Sequence, residues 1–169
     1  MSFRIIRLFD VVHFKLVVKE HPQMVEFRPR SYYEALKKIP NVKLIDPATS
    51  SYSITPNAKL ITTITGTVGW EAVIFKKPVI SFGHQFYNSL SMVTHCDEIE
   101  NLPELVKEKL ERHRHDEEEL TAFLAAVFED SVDIDLNRLW TEESDHKKKR
   151  EGVRPLTDLL AKTLDLRAL

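Results

Sequence analysis

Residues 62–83 read T-T-I-T-G-T-V-G-W-E-A-V-I-F-K-K-P-V-I-S-F-G, and no other run limits the possible folds as much. Lys59 to Ile64 is apolar and β-branched, the character of a strand buried in a parallel sheet. Thr65-Gly66-Thr67 predicts a tight turn. Val68 to Lys76 predicts a helix with Val68, Ala72 and Phe75 on one face. Pro78 stops that helix, and Val79 to Phe82 predicts a second short strand. Three of the chain's four glycines (Gly66, Gly69, Gly83) fall here. A sequence so sparing with glycine is expected to place it where the backbone turns sharply or approaches something closely.

A helix that starts just after a parallel strand turns its free N–H groups toward the crevice beyond the strand's carboxyl end. Those donors and the helix dipole favour an anion, typically phosphate. Thr65 and Thr67 add hydroxyls able to cap the helix or bind phosphate oxygens. Glu71, one turn further in, is placed to reach ribose hydroxyls, as an acidic group does in dinucleotide sites. On spacing alone, an ordinary strand–turn–helix with a threonine cap and a solvated glutamate fits equally well.

The chain has 169 residues, 43% hydrophobic and 30% charged, with a formal net charge of −2. That composition supports a globular core, and the charge argues against a general nucleic-acid binder. Cys96 is the sole cysteine, so neither an intramolecular disulfide nor a cysteine zinc cage is expected, and a reducing, cytoplasmic setting fits. No apolar run is long enough to span a bilayer, and the N-terminus lacks a signal-peptide layout.

In chain order, Ser2 to Leu8 is ambiguous. Asp10 to Lys19 contains a buried strand from Phe14, ended by Pro22, which holds His21 extended at the strand's carboxyl end. A histidine there can donate to phosphate or act as a general acid; a plain surface-loop histidine is the competing reading. Ser31 to Ile39 predicts a helix, Ser31 and Glu34 having capping-box spacing. Val42 to Ile45 predicts a strand, and Ala48 to Ala58 a loop with one helical turn. After the central run, His84 to Asn88 should face the same crevice, with packing under a loop as the alternative for Phe86 and Tyr87. Ser91 to His95 reads as a short edge strand, and Asn101 to Arg112 as a helix opened by Pro103. Asp116 to Phe128 is amphipathic, with Leu120, Phe123, Leu124, Val127 and Phe128 on one face. His113 and His115, between these helices, read as solvated. Ser131 to Trp140 reads as irregular and Asp145 to Gly152 as a charged, mobile linker. Arg154 to Leu166 reads as a terminal helix with Leu156, Leu159, Leu160 and Leu164 inward. The alternation implies an α/β fold: a Rossmann-like parallel sheet flanked by helices, with a helical C-terminal extension. The expected division is residues 1–112 for the nucleotide-sugar-binding domain and 113–169 for the extension packed on it.

V-V-K-E-H-P (Val17 to Pro22), N-V-K-L-I-D-P (Asn41 to Pro47), T-G-T-V-G-W-E-A (Thr65 to Ala72), K-P-V-I-S-F-G (Lys77 to Gly83) and F-Y-N (Phe86 to Asn88) occur in that order. As an ordered set they resemble the bacterial capsule polysaccharide biosynthesis family, which includes Kdo transferases. They are similar to the C-terminal, nucleotide-binding half of a B-type glycosyltransferase. The resemblance covers about residues 14–110. It implies that His21 binds or protonates the donor phosphate, as in sialyltransferases that use CMP-sugars. It further implies that Lys19, Pro22, Thr65, Gly66, Thr67 and Glu71 hold the nucleotide, with Glu71 on the ribose. His84, Phe86 and Tyr87 would lie near the donor sugar.

The resemblance thus implies a donor-binding half of a glycosyltransferase of capsule or surface polysaccharide synthesis, taking a nucleotide-sugar, with a CMP-sugar favoured. No cofactor and no metal are expected, since no Asp-x-Asp occurs, and no nucleic-acid partner; peripheral membrane association is compatible. About 13 residues precede the first family strand. An N-terminal acceptor domain is therefore expected to be absent or supplied by a partner chain, leaving this chain inactive alone. Two alternatives stand: half of a UDP-N-acetylglucosamine 2-epimerase-like enzyme, and a non-catalytic nucleotide-binding module from a truncated or split gene.

Overall fold

A computed structural model describes residues 14–129 and 131–164. The readings for Ser2 to Leu8, the start of the Asp10 to Lys19 segment and Leu166 lie outside these residues. The chain divides into two compact units, the break falling between Asp116 and Glu117.

The first unit is α/β. Strand β1 (Leu16–Lys19) pairs in parallel with β2 (Val42–Ile45) through helix α1 (Arg30–Lys37). After a short helix α2 (Ser51–Ile54) come β3 (Ile61–Thr63), α3 (Val68–Ile74), β4 (Val79–Ser81), β5 (Val93–His95) and α4 (Leu102–Arg112). Strands β3, β4 and β5 form a second parallel sheet in that order. All described strand pairs are therefore parallel, as the alternation of apolar strands with helices requires. Leu16 packs in both apolar clusters. One is built on Leu36 and Val42, the other on Ile80, Cys96, Leu102 and Val106. The two ladders thus share a core.

Local physics moves several boundaries. Helix α1 begins at Arg30 with Pro29 at the N-cap and no side-chain cap bond, so the expected capping box does not form. Ser31 is already helical, and Glu34 instead pairs with Arg30 at 2.8 Å. The face of α3 that is buried is Gly69, Ala72 and Val73, not Val68, Ala72 and Phe75. Its end is a left-handed cap: Lys76 has φ 57°, its N–H reaches Val73 C=O at 2.9 Å, and Lys77 N–H reaches Ala72 C=O at 2.8 Å. That is the double bond pattern that terminates helices.

The second unit is helical: α5 (Glu117–Glu129), α6 (Leu136–Thr141) and α7 (His146–Thr163). Two expectations are corrected. Leu136 to Trp140, read as irregular, is helical because the Asp135 carboxylate accepts Arg138 N–H at 2.9 Å. His146 to Gly152, read as linker, is the first part of α7. Asp145 caps it by accepting Lys147 N–H at 2.8 Å and Lys148 N–H at 3.4 Å. Lysine, arginine and glutamate are good helix formers once such a start exists. The inward side of α7 is shifted too. Leu156 and Leu159 are half-buried, whereas Leu160 and Leu164 are exposed. Gly152 lets Leu139 approach, since a Cβ there would meet Leu139 Cδ2 at 2.6 Å. On α5, Leu120 is buried but Val127 and Phe128 are exposed. No helix among the described residues is long and apolar enough to cross a membrane.

Candidate functional site

Thr63, Ser81 and His95 end β3, β4 and β5 in register. Three polar side chains therefore stand side by side at the edge where α/β sheets receive ligands. Beyond Thr63 comes the predicted turn. Thr63 Oγ1 accepts Gly66 N–H at 3.0 Å, and Gly66 C=O accepts Gly69 N–H at 3.1 Å. The turn thus consumes two of its own donors. Thr67 occupies the N-cap in a helical conformation and makes no cap bond, which corrects the expected capping role. A cap side chain folds back on the first-turn amides only from an extended backbone. The Thr65 and Thr67 side chains are exposed at the mouth of the turn.

Glu71 lies in the first turn of α3. Its Oε2 is buried and has no hydrogen-bond partner among the described residues. Buried polar atoms are nearly always paired, and leaving one unpaired costs on the order of 1–3 kcal/mol. This oxygen lies beside the turn, and Asn88 Oδ1 on the loop after β4 is likewise buried and unpaired among the described residues.

The loop after β4 is locked to that turn at three points. A Cβ on Gly83 would meet Thr65 Cγ2 at 2.7 Å and Ile64 O at 2.9 Å, so the two backbones lie against one another. The Tyr87 hydroxyl donates to Gly66 C=O at 2.7 Å. The Trp70 and Phe86 rings sit 5.5 Å apart. Of the Phe86-Tyr87 pair, Phe86 is exposed, while Tyr87 is fully buried, and burial pushes its phenol above its ordinary pKa. Gly69 makes room for it: a Cβ there would fall 2.5 Å from the Tyr87 Oη and 2.8 Å from its Cζ. No glycine here has positive φ. All three serve close approach.

His84, which follows Gly83, stacks on His95 with ring centroids 4.3 Å apart. His95 was not singled out from the sequence. Its signal was positional: a polar residue ending an edge strand in register with another polar strand end.

At the end of β1, His21 caps a short 3-10 turn, Pro22–Met24, with Nδ1 accepting Gln23 N–H at 3.2 Å. That bond assigns the neutral ring's proton to Nε2, leaving a donor pointing away from the turn. The loop is pinned by Glu20, which accepts from Arg28 at 2.7 Å and Tyr33 at 3.4 Å. The hydrogen bond to Glu20 raises the Arg28 pKa above its ordinary value despite opposing desolvation. Among the described residues His21 makes no hydrogen bond or ring contact with the Thr65–Glu71 turn. Lys19 ends β1 opposite Ile45, and Pro22 is exposed. The structure therefore joins Thr65, Gly66, Trp70, Gly83, Phe86 and Tyr87 by direct contacts. It adds His84 through Gly83 and leaves Lys19, His21 and Pro22 as a separate group.

These features define the class: a parallel α/β module whose strand ends carry a threonine-flanked turn and an acid with one buried oxygen unpaired among the described residues. The family model described as capsule polysaccharide biosynthesis protein matches residues 11–128, well over half of the chain, and the chain belongs to that family. Comparison with curated proteins and with solved structures gives no match.

Proposed function

We propose that this chain is the donor-binding part of a glycosyltransferase acting in capsule polysaccharide synthesis, and that its donor is a nucleotide-sugar, a CMP-sugar before others. Membership of the capsule family supports the biosynthetic role. The observation that carries the ligand class is the buried, partnerless Glu71 Oε2 one turn beyond the exposed threonines. A ribose hydroxyl is a donor of the right kind to satisfy it. The phosphate would then fall at the Thr65 and Thr67 hydroxyls. In this reading His21, from the separate group at the end of β1, would supply a ring N–H to the departing phosphate. Neutralising that charge as the glycosidic bond lengthens is the step such donors accelerate. Tyr87 acts from below by fixing Gly66, and Phe86 offers an exposed ring beside the turn. The acceptor site belongs in this reading to a companion domain or partner chain.

Isothermal titration with CMP tests the proposal. Binding should be measurable and should weaken roughly tenfold or more in Glu71→Gln, the loss of a hydrogen bond to a charged group. His21→Ala should weaken binding less than it slows sugar transfer. A folded protein that ignores CMP but gains thermal stability with UDP would instead place it beside the epimerase-like enzymes, since only a ligand bound by the native state raises the melting point.

A further inference from the structure

Behind the proposed donor pocket lies a polar network that the proposed binding roles do not use. Ser81, the last residue of β4, is fully buried. Asn88 Nδ2 donates to Ser81 Oγ at 2.9 Å and to Gly83 C=O at 3.1 Å, with His95 Nδ1 a more distant acceptor at 3.5 Å. Since Gly83 C=O can only accept, the amide orientation is fixed. The hydroxyl of Ser81, having accepted from Asn88, has its own proton to give, and His95 Nδ1 lies 3.3 Å away. That makes Nδ1 an acceptor and puts the proton of a neutral His95 on Nε2. There it faces Asp97 Oδ1, also at 3.3 Å. Both edges of the His95 ring are thereby committed, and one face is covered by His84.

His84 differs from its neighbour. It is exposed and makes no hydrogen bond among the described residues, although its ring plane is set by the stack at an interplanar angle of 26°. It follows directly on Gly83, which is in contact with Thr65. An imidazole held in orientation with its nitrogens open has already lost rotamer freedom, and this lowers the entropic cost of binding. His84, His95 and Asp97 do not converge into a group able to hold a metal ion among the described residues.

We propose that His84 contacts an anionic phosphate oxygen of the bound ligand, and that His95 is its positioning residue, oriented by the chain Asn88–Ser81–His95–Asp97. The inference rests on the nucleotide-binding reading and extends it to a second wall of the same pocket. Long-range 1H–15N spectra of the imidazoles should show His95 as a single Nε2–H tautomer, and CMP should shift the ring nitrogens of His84. His84→Ala should weaken CMP binding about tenfold, the loss of one hydrogen bond to a charged oxygen. Asp97→Asn, at an exposed position where folding is not at stake, should mix the His95 tautomers and weaken binding about two- to threefold, an indirect positioning effect smaller than losing the contact itself. If CMP binds in a Glu71-dependent way while His84→Ala binds unchanged and the His84 signals stay still, the inference is overturned and the nucleotide reading survives. If CMP does not bind but inorganic pyrophosphate shifts the His84 nitrogens, the nucleotide reading fails and the anion contact stands. No shift with either ligand overturns the anion contact.

Discussion

Gly69 shows how much one missing methyl group organises. It sits on the buried face of α3, where glycine ordinarily costs about 1 kcal/mol relative to alanine, yet the space its Cβ would fill belongs to the Tyr87 ring. Tyr87 in turn holds Gly66 by its hydroxyl. Gly69→Ala should therefore lose the helix-propensity gain and more, with a net destabilisation of about 2 kcal/mol from overpacking. Tyr87→Phe, which removes only the hydrogen bond, should cost about 1 kcal/mol. Denaturant midpoints of the two variants check this, and an unchanged midpoint for Gly69→Ala would show that the ring has room to move. The sequence pointed to these glycines as places of close approach, and that much was legible. What approaches Gly69 was not. Phe86 and Tyr87 are adjacent aromatics in a short turn, where periodicity carries no information about which one faces inward. The deciding fact is the hole that Gly69 leaves for the ring from far back along the chain. The paired strand ends Ser81 and His95 were hidden for the same reason, because register belongs to the sheet and not to either strand.

At the scale of elements, apolar β-branched runs and prolines located all five strands among the described residues of the first unit to within a residue or two. What failed were the polar segments. Asp145 to Gly152 has no apolar face to read, and its helix depends on a single capping aspartate and on residues with high helix propensity. The capping box at Ser31 failed in the opposite direction: the spacing was present, but Pro29 at the N-cap started the helix earlier. The end of α3 offers a test of terminal geometry. Lys76 adopts φ 57°, a conformation that costs a residue with a Cβ roughly 1 kcal/mol and costs glycine almost nothing. Lys76→Gly should raise stability by about 0.5–1 kcal/mol while leaving the Lys77-to-Ala72 bond in place. Thermal melts read the difference, and a lower melting temperature would mean that the lysine side chain does more for the fold than its backbone strain takes away.

For the molecule as a whole, the first unit responds to pH through a group far along the chain from the proposed pocket. His113 follows α4, and both ring nitrogens are buried without a well-formed hydrogen bond among the described residues. Burial, then the nearby Lys109 charge, lowers its pKa below the ordinary 6.5, with the Lys76 backbone opposing in part and His115 adding to the depression. Lys109 itself is lowered by burial, and its ammonium donates to Met92 C=O at 3.1 Å. The sign follows from proton counting. With the folded pKa depressed, the unfolded chain binds more protons as pH falls through the ordinary histidine value, so stability is lost on acidification and regained above it. Reading His113 as solvated from its charged surroundings missed this, because the charges flank a ring that packs inward. Replacing His113 with glutamine removes the titration and keeps a polar side chain of similar length. Chemical denaturation between about pH 5 and pH 8, a range that brackets the histidine transition, should show the wild type losing stability toward pH 5 more steeply than His113→Gln. Parallel curves for the two proteins would mean that the ring reaches water before it protonates, and that the acid sensitivity lies with other groups.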